Sequence, residues 1–533
     1  MRLDSRSVGL CALAAALCWG CGSSSASQPS GTGGAAGQGG TGGMAGSGGA
    51  AGAGGPLALA PGDVAELPVQ SGTAGARIAT PGGNEKYVLV LASTRFDTSG
   101  DQLDYSLKLD VAPQGASAAP VNGCSITSDP WSTTNVPKET APSGTAVTVG
   151  TTRTINVQKA LGFEAIQAKA IAVGKSAVVW ADVTPAHPAN LDMTFVNQFL
   201  SDFEDTILPR ERTVFGMESD QDGDGHISLV FTPLTYDTAV AFFTGCDLDD
   251  AGGCQTTNHG EYLYLTPPAA IAPPYNTPNA IKEILTHECS HLINFNRKVL
   301  LNKLSTWPDS SYMDEGVGAF AQDAVGPQAG NLYVAMAGLD QLNQFSLGET
   351  LLDGAQYDLT RDGALRGGSY WFVRWLYDRA GADTANTDGS ITNKGGISFF
   401  RALLDAKTSI AKDLPGEAQA SVSDIAMDFY TTLAMSNRDE TGGVAPTDPC
   451  FAYQPITTDP AWQTQRGADV YAKFHGMQMN GPEIQPAASA DGKLLAGGVE
   501  YLDVDAKSGQ SELDLTVTVD PEAQARVRIG RVR

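Results

Sequence analysis

His287, Glu288 and His291 stand in the run His-Glu-Cys-Ser-His, and Asp314-Glu315-Gly316 begins 23 residues beyond the second histidine. On a helix, positions i and i+4 share a face, so the two imidazoles can grip one zinc ion from adjacent turns. Glu288 sits beside them, where a carboxylate can take a proton from a metal-activated water. The chain has only six histidines, and two of them fall at this spacing around a glutamate. Such a set suits metal-assisted hydrolysis. Catalytic zinc takes three protein ligands and keeps a position open, so a further ligand has to come from elsewhere. Glu315 is the best placed. Asp314 and Asp323 are alternatives, and Asp323, two turns later, also suits the task of orienting a histidine.

These residues need two helices. Asn276-Thr277-Pro278 offers a polar N-cap and a first-turn proline, and Ala280 to Leu285 continues with good helix formers. At about 100° per residue, Ile281, Leu285, Cys289, Leu292 and Asn296 gather on one side, with the histidines on the other. Cys289 is therefore expected as a small buried hydrophobe and not as a zinc ligand. The segment after Glu315 reads as a helix rich in small residues. Gly318 and Ala319 share the Glu315 face, which lets the two helices approach closely.

Thr286 to Asn296, followed by Tyr312-Met313-Asp314-Glu315-Gly316, resembles the gluzincin metallopeptidases and most of all the hyicolysin family. Pro209 to Gly216 and its Asp/Gly-rich sequel share the likeness, which spans residues 150 to 440 with gaps. The resemblance implies a zincin-like domain that hydrolyses peptide bonds. Zinc would be held by His287, His291 and Glu315, with Glu288 as general base. The aspartate that follows the glutamate ligand by four residues in the thermolysin branch is Ala319 here. The glycine-rich exopeptidase motif of related aminopeptidases is missing upstream of the histidines, which points to endopeptidase action. Related gluzincins also bring a tyrosine or histidine from a later helix to the oxyanion. Gly367 to Tyr377 reads as such a helix, so Tyr370 is the candidate, set against the plainer reading of one more packed aromatic.

Asp220-Gln221-Asp222-Gly223-Asp224-Gly225-His226 has the front half of an EF-hand loop. Position twelve is Phe231 in place of glutamate, and Ile227 to Phe231 reads as a strand. Calcium held by Asp220, Asp222, Asp224 and the His226 carbonyl competes here with a plain acidic turn. His187, His259 and His475 read as surface or structural histidines. Tyr262 to Leu265 is expected as the edge strand along which an extended peptide could pair.

Arg2 and Arg6 precede the apolar run Val8 to Leu17, which is too short to span a bilayer and has the form of a secretory signal. Gly20-Cys21-Gly22-Ser23 resembles the bacterial lipoprotein signal, so Cys21 is expected to carry lipid, with ordinary export as the alternative. Gly22 to Pro56 is almost wholly Gly, Ala and Ser, a flexible tether. Export favours disulfides. Of the eight cysteines, Cys11 and Cys18 leave with the signal, and Cys246 and Cys254 bracket a short loop suited to a bridge. Cys124, Cys289 and Cys450 remain; at least one must be free or paired between chains, and Cys289 is expected as the buried free thiol. A formal charge of −25 makes nucleic acid and anionic membrane surfaces poor partners, and none is expected beyond a lipid at Cys21.

The patterns give an α+β fold. Residues 1–21 form the signal, 22–56 the tether, 57–145 an N-terminal β domain, 146–445 the zincin-like region (mixed sheet, then mainly helices), and 446–533 a C-terminal β-rich domain. Lys86 to Leu91 and the strict alternation of Glu512 to Val519 mark the two β ends. The expectation is a monomeric zinc endopeptidase in the cell envelope or secreted, touching membrane only through a lipid at Cys21 and acting on proteins or peptides. The competing reading is an adhesive surface lipoprotein with an inactive or structural zinc site.

Overall fold

The computed structural model describes residues 55–533 except 98–99, 112, 114–116, 137, 145–146, 249–256, 274, 331, 333–336, 352–360, 475 and 488–490. The signal, the tether with Cys21, and also Cys254 and His475, lie outside the described residues. The fold is α+β.

Six strands form the central sheet, in the order Ala241–Phe243, Tyr262–Leu265, Ile227–Phe231, Ala177–Asp182, Phe163–Val173, Thr152–Gln158. The two middle strands are wholly buried and pair in parallel, which explains their mainly apolar sequences: strands covered on both faces have no solvent-facing polar side, and the buried Ser228 hydroxyl accepts from the Trp180 indole N–H. One face meets the helix Pro278–Phe295, whose Ile281, Leu285, Cys289 and Leu292 join Leu229, Phe231 and Leu263 in one core. The edge strand differs from expectation. Tyr262–Leu265 lies inside the sheet, parallel to Ile227–Phe231, and the edge is the three-residue strand Ala241–Phe243, paired antiparallel to it. Three residues carry too little periodicity to be read as a strand from sequence.

Beyond the sheet the helices Ser311–Ala324, Asp362–Arg379, Gly396–Asp405 and Val422–Met435 follow, in line with the expected helical region.

The two β ends do not form separate domains. Strand Lys86–Ser93 pairs with Val499–Asp505 on one side and Ala525–Arg531 on the other, while Thr73–Ala79 and Gln102–Leu109 flank Glu512–Val519 in a second sheet. Leu67, Ile78, Leu89, Leu107, Leu515 and Ile529 fill the space between the sheets. Alternating strands bury one face each and must find a second sheet to cover it; here each end supplies strands to both sheets. The outer face of Lys86–Ser93 packs on the helix Val422–Met435 through Val88 and Val90, which accounts for the continuous apolar run.

The chain leaves this sandwich and returns to it through two segments joined by a Cys124–Cys450 disulfide, with Cα atoms 5.3 Å apart. The outgoing segment is held farther along by Glu139, which accepts hydrogen bonds from Arg297, Arg401 and the Met217 N–H. The returning segment stays among the helices past residue 446: Asp459 pairs with the buried Arg210 at 2.7 Å and Arg466 with Asp383 at 2.8 Å. The expected boundary at 446 therefore falls inside the helical region.

Candidate metal centre

Thr277 caps the first helix, its hydroxyl oxygen accepting from Ala280 N–H at 3.2 Å, and the helix runs unbroken to Phe295. His287 and His291 emerge on one side with ring centroids 4.7 Å apart. Cys289, on the far side, is fully buried and free; burial pushes its thiol far above the usual range.

The second helix is capped by Ser310, whose hydroxyl oxygen accepts from Met313 N–H at 3.0 Å. It lies against the first because of Gly318, where a Cβ would stand 2.6 Å from His287 Cε1 and Nε2. Glu315 thereby comes to 3.4 Å from His287 Nε2. One ligand atom each from His287, His291 and Glu315 lies within 4.8 Å of the others. Burial opposes the charge on Glu315, but Arg366 and His287 hold its carboxyl below the carboxylate range.

The two aspartates weighed beside Glu315 have different tasks. Asp314 Oδ1 lies 3.1 Å from His291 Nδ1, an ion-pair contact without the alignment of a full hydrogen bond, so Asp314 orients the ring. Burial works against a charged imidazole, yet Asp314 raises His291 to about 10. His291 Nε2 is buried and accepts or donates no hydrogen bond within the protein. Among the described residues Asp323 meets no histidine. It accepts from Gly467 N–H at 2.8 Å, Tyr370 Oη–H at 3.2 Å, Arg374 and Gln328.

Tyr370 belongs to this buried network. Its ring is fully buried, its hydroxyl is spent on Asp323, and burial raises that hydroxyl far above its usual range. Arg366, one turn earlier on the same helix, meets Glu315, with Nη2 3.6 Å from Oε2. Sequence reasoning passed over it because an arginine near a helix start carries no motif.

Glu288 Oε2 accepts from Phe243 N–H at 3.0 Å, tying the carboxylate to the edge strand; burial raises its pKa, against the pull of the two histidines. Glu211, from the upstream stretch, packs near this helix with both carboxylate oxygens buried and unbonded, and burial keeps it far above the carboxylate range.

Asp220, Asp222 and Asp224 also bring ligand atoms within 4.8 Å of one another. The loop is shaped from within: Gly225 N–H donates to Asp220 Oδ1 at 3.0 Å and His226 N–H to Asp224 Oδ1 at 2.8 Å. His226 turns its ring onto the Asp224 carbonyl. Glu261 braces the start of the loop, accepting from Ser219 Oγ–H at 2.6 Å and Gln221 N–H at 3.0 Å. Burial, aided by Asp222 and Asp220, raises Glu261 to about 7.

Of the other histidines, His259 is exposed, and His187 bridges Asp182 at 2.6 Å and Glu164 at 3.0 Å. Cys246 is in a disulfide. Compared with known proteins, the chain matches no family model and no curated protein.

Proposed function

We propose that this protein is a zinc-dependent endopeptidase with a zincin-like core, exported and held at the cell envelope or secreted. The observation that carries the reading is the meeting of His287, His291 and Glu315 within 4.8 Å, with a buried His291 Nε2 left unbonded by the protein. Two imidazoles and one carboxylate are the donor set of catalytic zinc, which keeps a fourth position open. Bound zinc would supply an activated water and polarise the acyl oxygen of the substrate.

The remaining work falls to the chain. Glu288 takes the water proton on a carboxylate oxygen and later passes it to the leaving nitrogen. Its tie to Phe243 N–H keeps it next to the strand on which substrate would lie. Val240 C=O accepts from Thr266 N–H inside the sheet, so by antiparallel alternation Ala241 turns its backbone groups outward, while the outward N–H of Phe243 is already given to Glu288. An extended peptide can add there as a further strand. Asp314 keeps the His291 ring in place.

The acidic loop is proposed as a calcium site on its oxygen-only donors. Export is supported by two disulfides, one at Cys124–Cys450 and one at Cys246, which suit an oxidising compartment. Among the described residues no helix is long and apolar enough to cross a membrane, and lipidation of Cys21 is proposed as the membrane anchor. We take the protein to act as a monomer on proteins or peptides.

The test is zinc content by elemental analysis together with cleavage of unfolded casein, for the parent, Glu288→Gln and Glu315→Ala. Glu288→Gln should keep zinc and lose cleavage by about 10²–10⁴-fold, whereas Glu315→Ala should lose the metal. One zinc without any Glu288-dependent cleavage would leave a binding protein, and no zinc in metal-replete protein would end the reading.

A further inference from the structure

We propose that Arg366 is a catalytic residue that supplies the positive charge facing the substrate's oxyanion, an inference that rests on the peptidase reading above. Hydrolysis of an amide needs such a group besides the metal, and Tyr370 is closed to the task by its burial and its bond to Asp323.

The two helices that carry these residues run side by side in the same direction. Arg366, Tyr370 and Arg374 follow at i, i+4 and i+8 and form one stripe, and Glu315 and Asp323 stand opposite at i and i+8. The lower rungs are shut: Asp323 is fully enclosed and takes both Tyr370 and Arg374. The upper rung differs. Arg366 Nη2 meets Glu315 Oε2 at 3.6 Å, the oxygen that also faces His287 Nε2, and the Arg366 side chain keeps 16% of its surface exposed. The guanidinium therefore lies beside the candidate ligand set and partly open to solvent, whereas Tyr370 is fully enclosed. Gly316 makes the approach possible, since a Cβ there would stand 2.8 Å from Ser369 Cβ on the neighbouring helix.

A guanidinium stays charged at any pH the protein meets and presents several N–H donors in a rigid fork. In the step itself, the water oxygen bonds to the acyl carbon, the carbonyl π pair moves onto the acyl oxygen, and Glu288 takes the water proton. The C–N bond then breaks as Glu288 returns that proton to nitrogen. Arg366 gives up no proton. It donates hydrogen bonds to the acyl oxygen as that atom becomes negative, so its effect is larger in the transition state than in the bound substrate.

The experiment compares zinc-loaded parent, Arg366→Met and Arg366→Lys in the full chain. It reads zinc per chain, kcat and KM on a casein-derived peptide, and the Kd of a phosphinic peptide whose tetrahedral anion resembles the oxyanion. For Arg366→Met the expected result is unchanged zinc, KM close to the parent and kcat lower by about 10²–10³-fold. The phosphinic peptide should weaken by at least about tenfold, and lysine should restore part of both losses. Parent-like kcat in Arg366→Met would overturn the proposal, and so would loss of zinc, which would make Arg366 a support for Glu315 alone. If the methionine variant does not fold, Arg366→Gln gives the same readings with the same meaning. A zinc-loaded parent that does not cleave would instead remove the peptidase reading itself.

Discussion

Gly318 and His287 touch so closely that a methyl group on the glycine would stand 2.6 Å from the ring carbon and nitrogen. The absence of a side chain at 318 sets where the imidazole lies, and with it the distance to Glu315. Gly318→Ala should therefore weaken zinc binding by about 10–100-fold, the size of loss seen when a ligand's support is disturbed. Overpacking costs about 1–3 kcal/mol, against about 1 kcal/mol regained from helix propensity. Competition with a chromogenic chelator measures the first effect; parent-like affinity would mean the helices are not held by this contact.

Tyr370→Phe separates the buried network from the site. The lost hydroxyl reaches only Asp323, so kcat should stay within the same order of magnitude while stability falls by about 1 kcal/mol. A drop in kcat of about 10²-fold, as for an oxyanion donor, would return Tyr370 to the chemistry.

Calcium should raise the melting temperature. A ligand at a hundred times its Kd adds about 2.7 kcal/mol, and Asp222→Asn should remove the response. Without the ion, Glu261 titrates near 7 in the fold against about 4.3 in the unfolded chain. The folded state then holds the extra proton between these values, so stability of calcium-free protein should decline as pH rises through that interval. Urea midpoints from pH 5 to 8, with and without calcium, show whether the ion abolishes the slope; a flat profile in both would return the loop to a plain turn.

His187 should give a second pH signature. Burial works against its charge, but the carboxylates of Asp182 and Glu164 raise its pKa above the usual value. A raised folded-state pKa favours folding fully below about 6.5, the unfolded value, and the gain is lost as pH rises through the folded value. His187→Gln should flatten that part of the stability curve on the alkaline side of 6.5 and leave zinc content untouched. Equal slopes for parent and variant would show that the bridge contributes nothing.

Much of the centre was legible because it is local. The spacing of His287 and His291, the Thr277 cap and the small residues after Glu315 each state their role within one or two helical turns, and the structure places them as those turns require. The alternation of Glu512–Val519 was legible for the same reason. What sequence hid is long-range. Nothing in Lys86–Ser93 says that both its neighbours come from the other end of the chain, so two β ends read as two domains. The three-residue edge strand offers no period, and the sharing of tasks between Asp314 and Asp323 depends on which neighbour each helix face meets. Tyr370 and Arg366 sit one turn apart on one stripe, and only the packing shows that Arg366 meets Glu315 while Tyr370 is buried against Asp323.

The sandwich also bears on how the molecule is made. Strand Lys86–Ser93 has Val499–Asp505 along one hydrogen-bonding edge and Ala525–Arg531 along the other. During synthesis it emerges with both edges bare and stays so until the whole intervening region has been produced. Unpaired apolar strands of this kind invite association with other chains. The interval is set by the length of the intervening chain and not by the strand itself, so faster translation or a shorter central region would lessen the hazard, and slower export would prolong it.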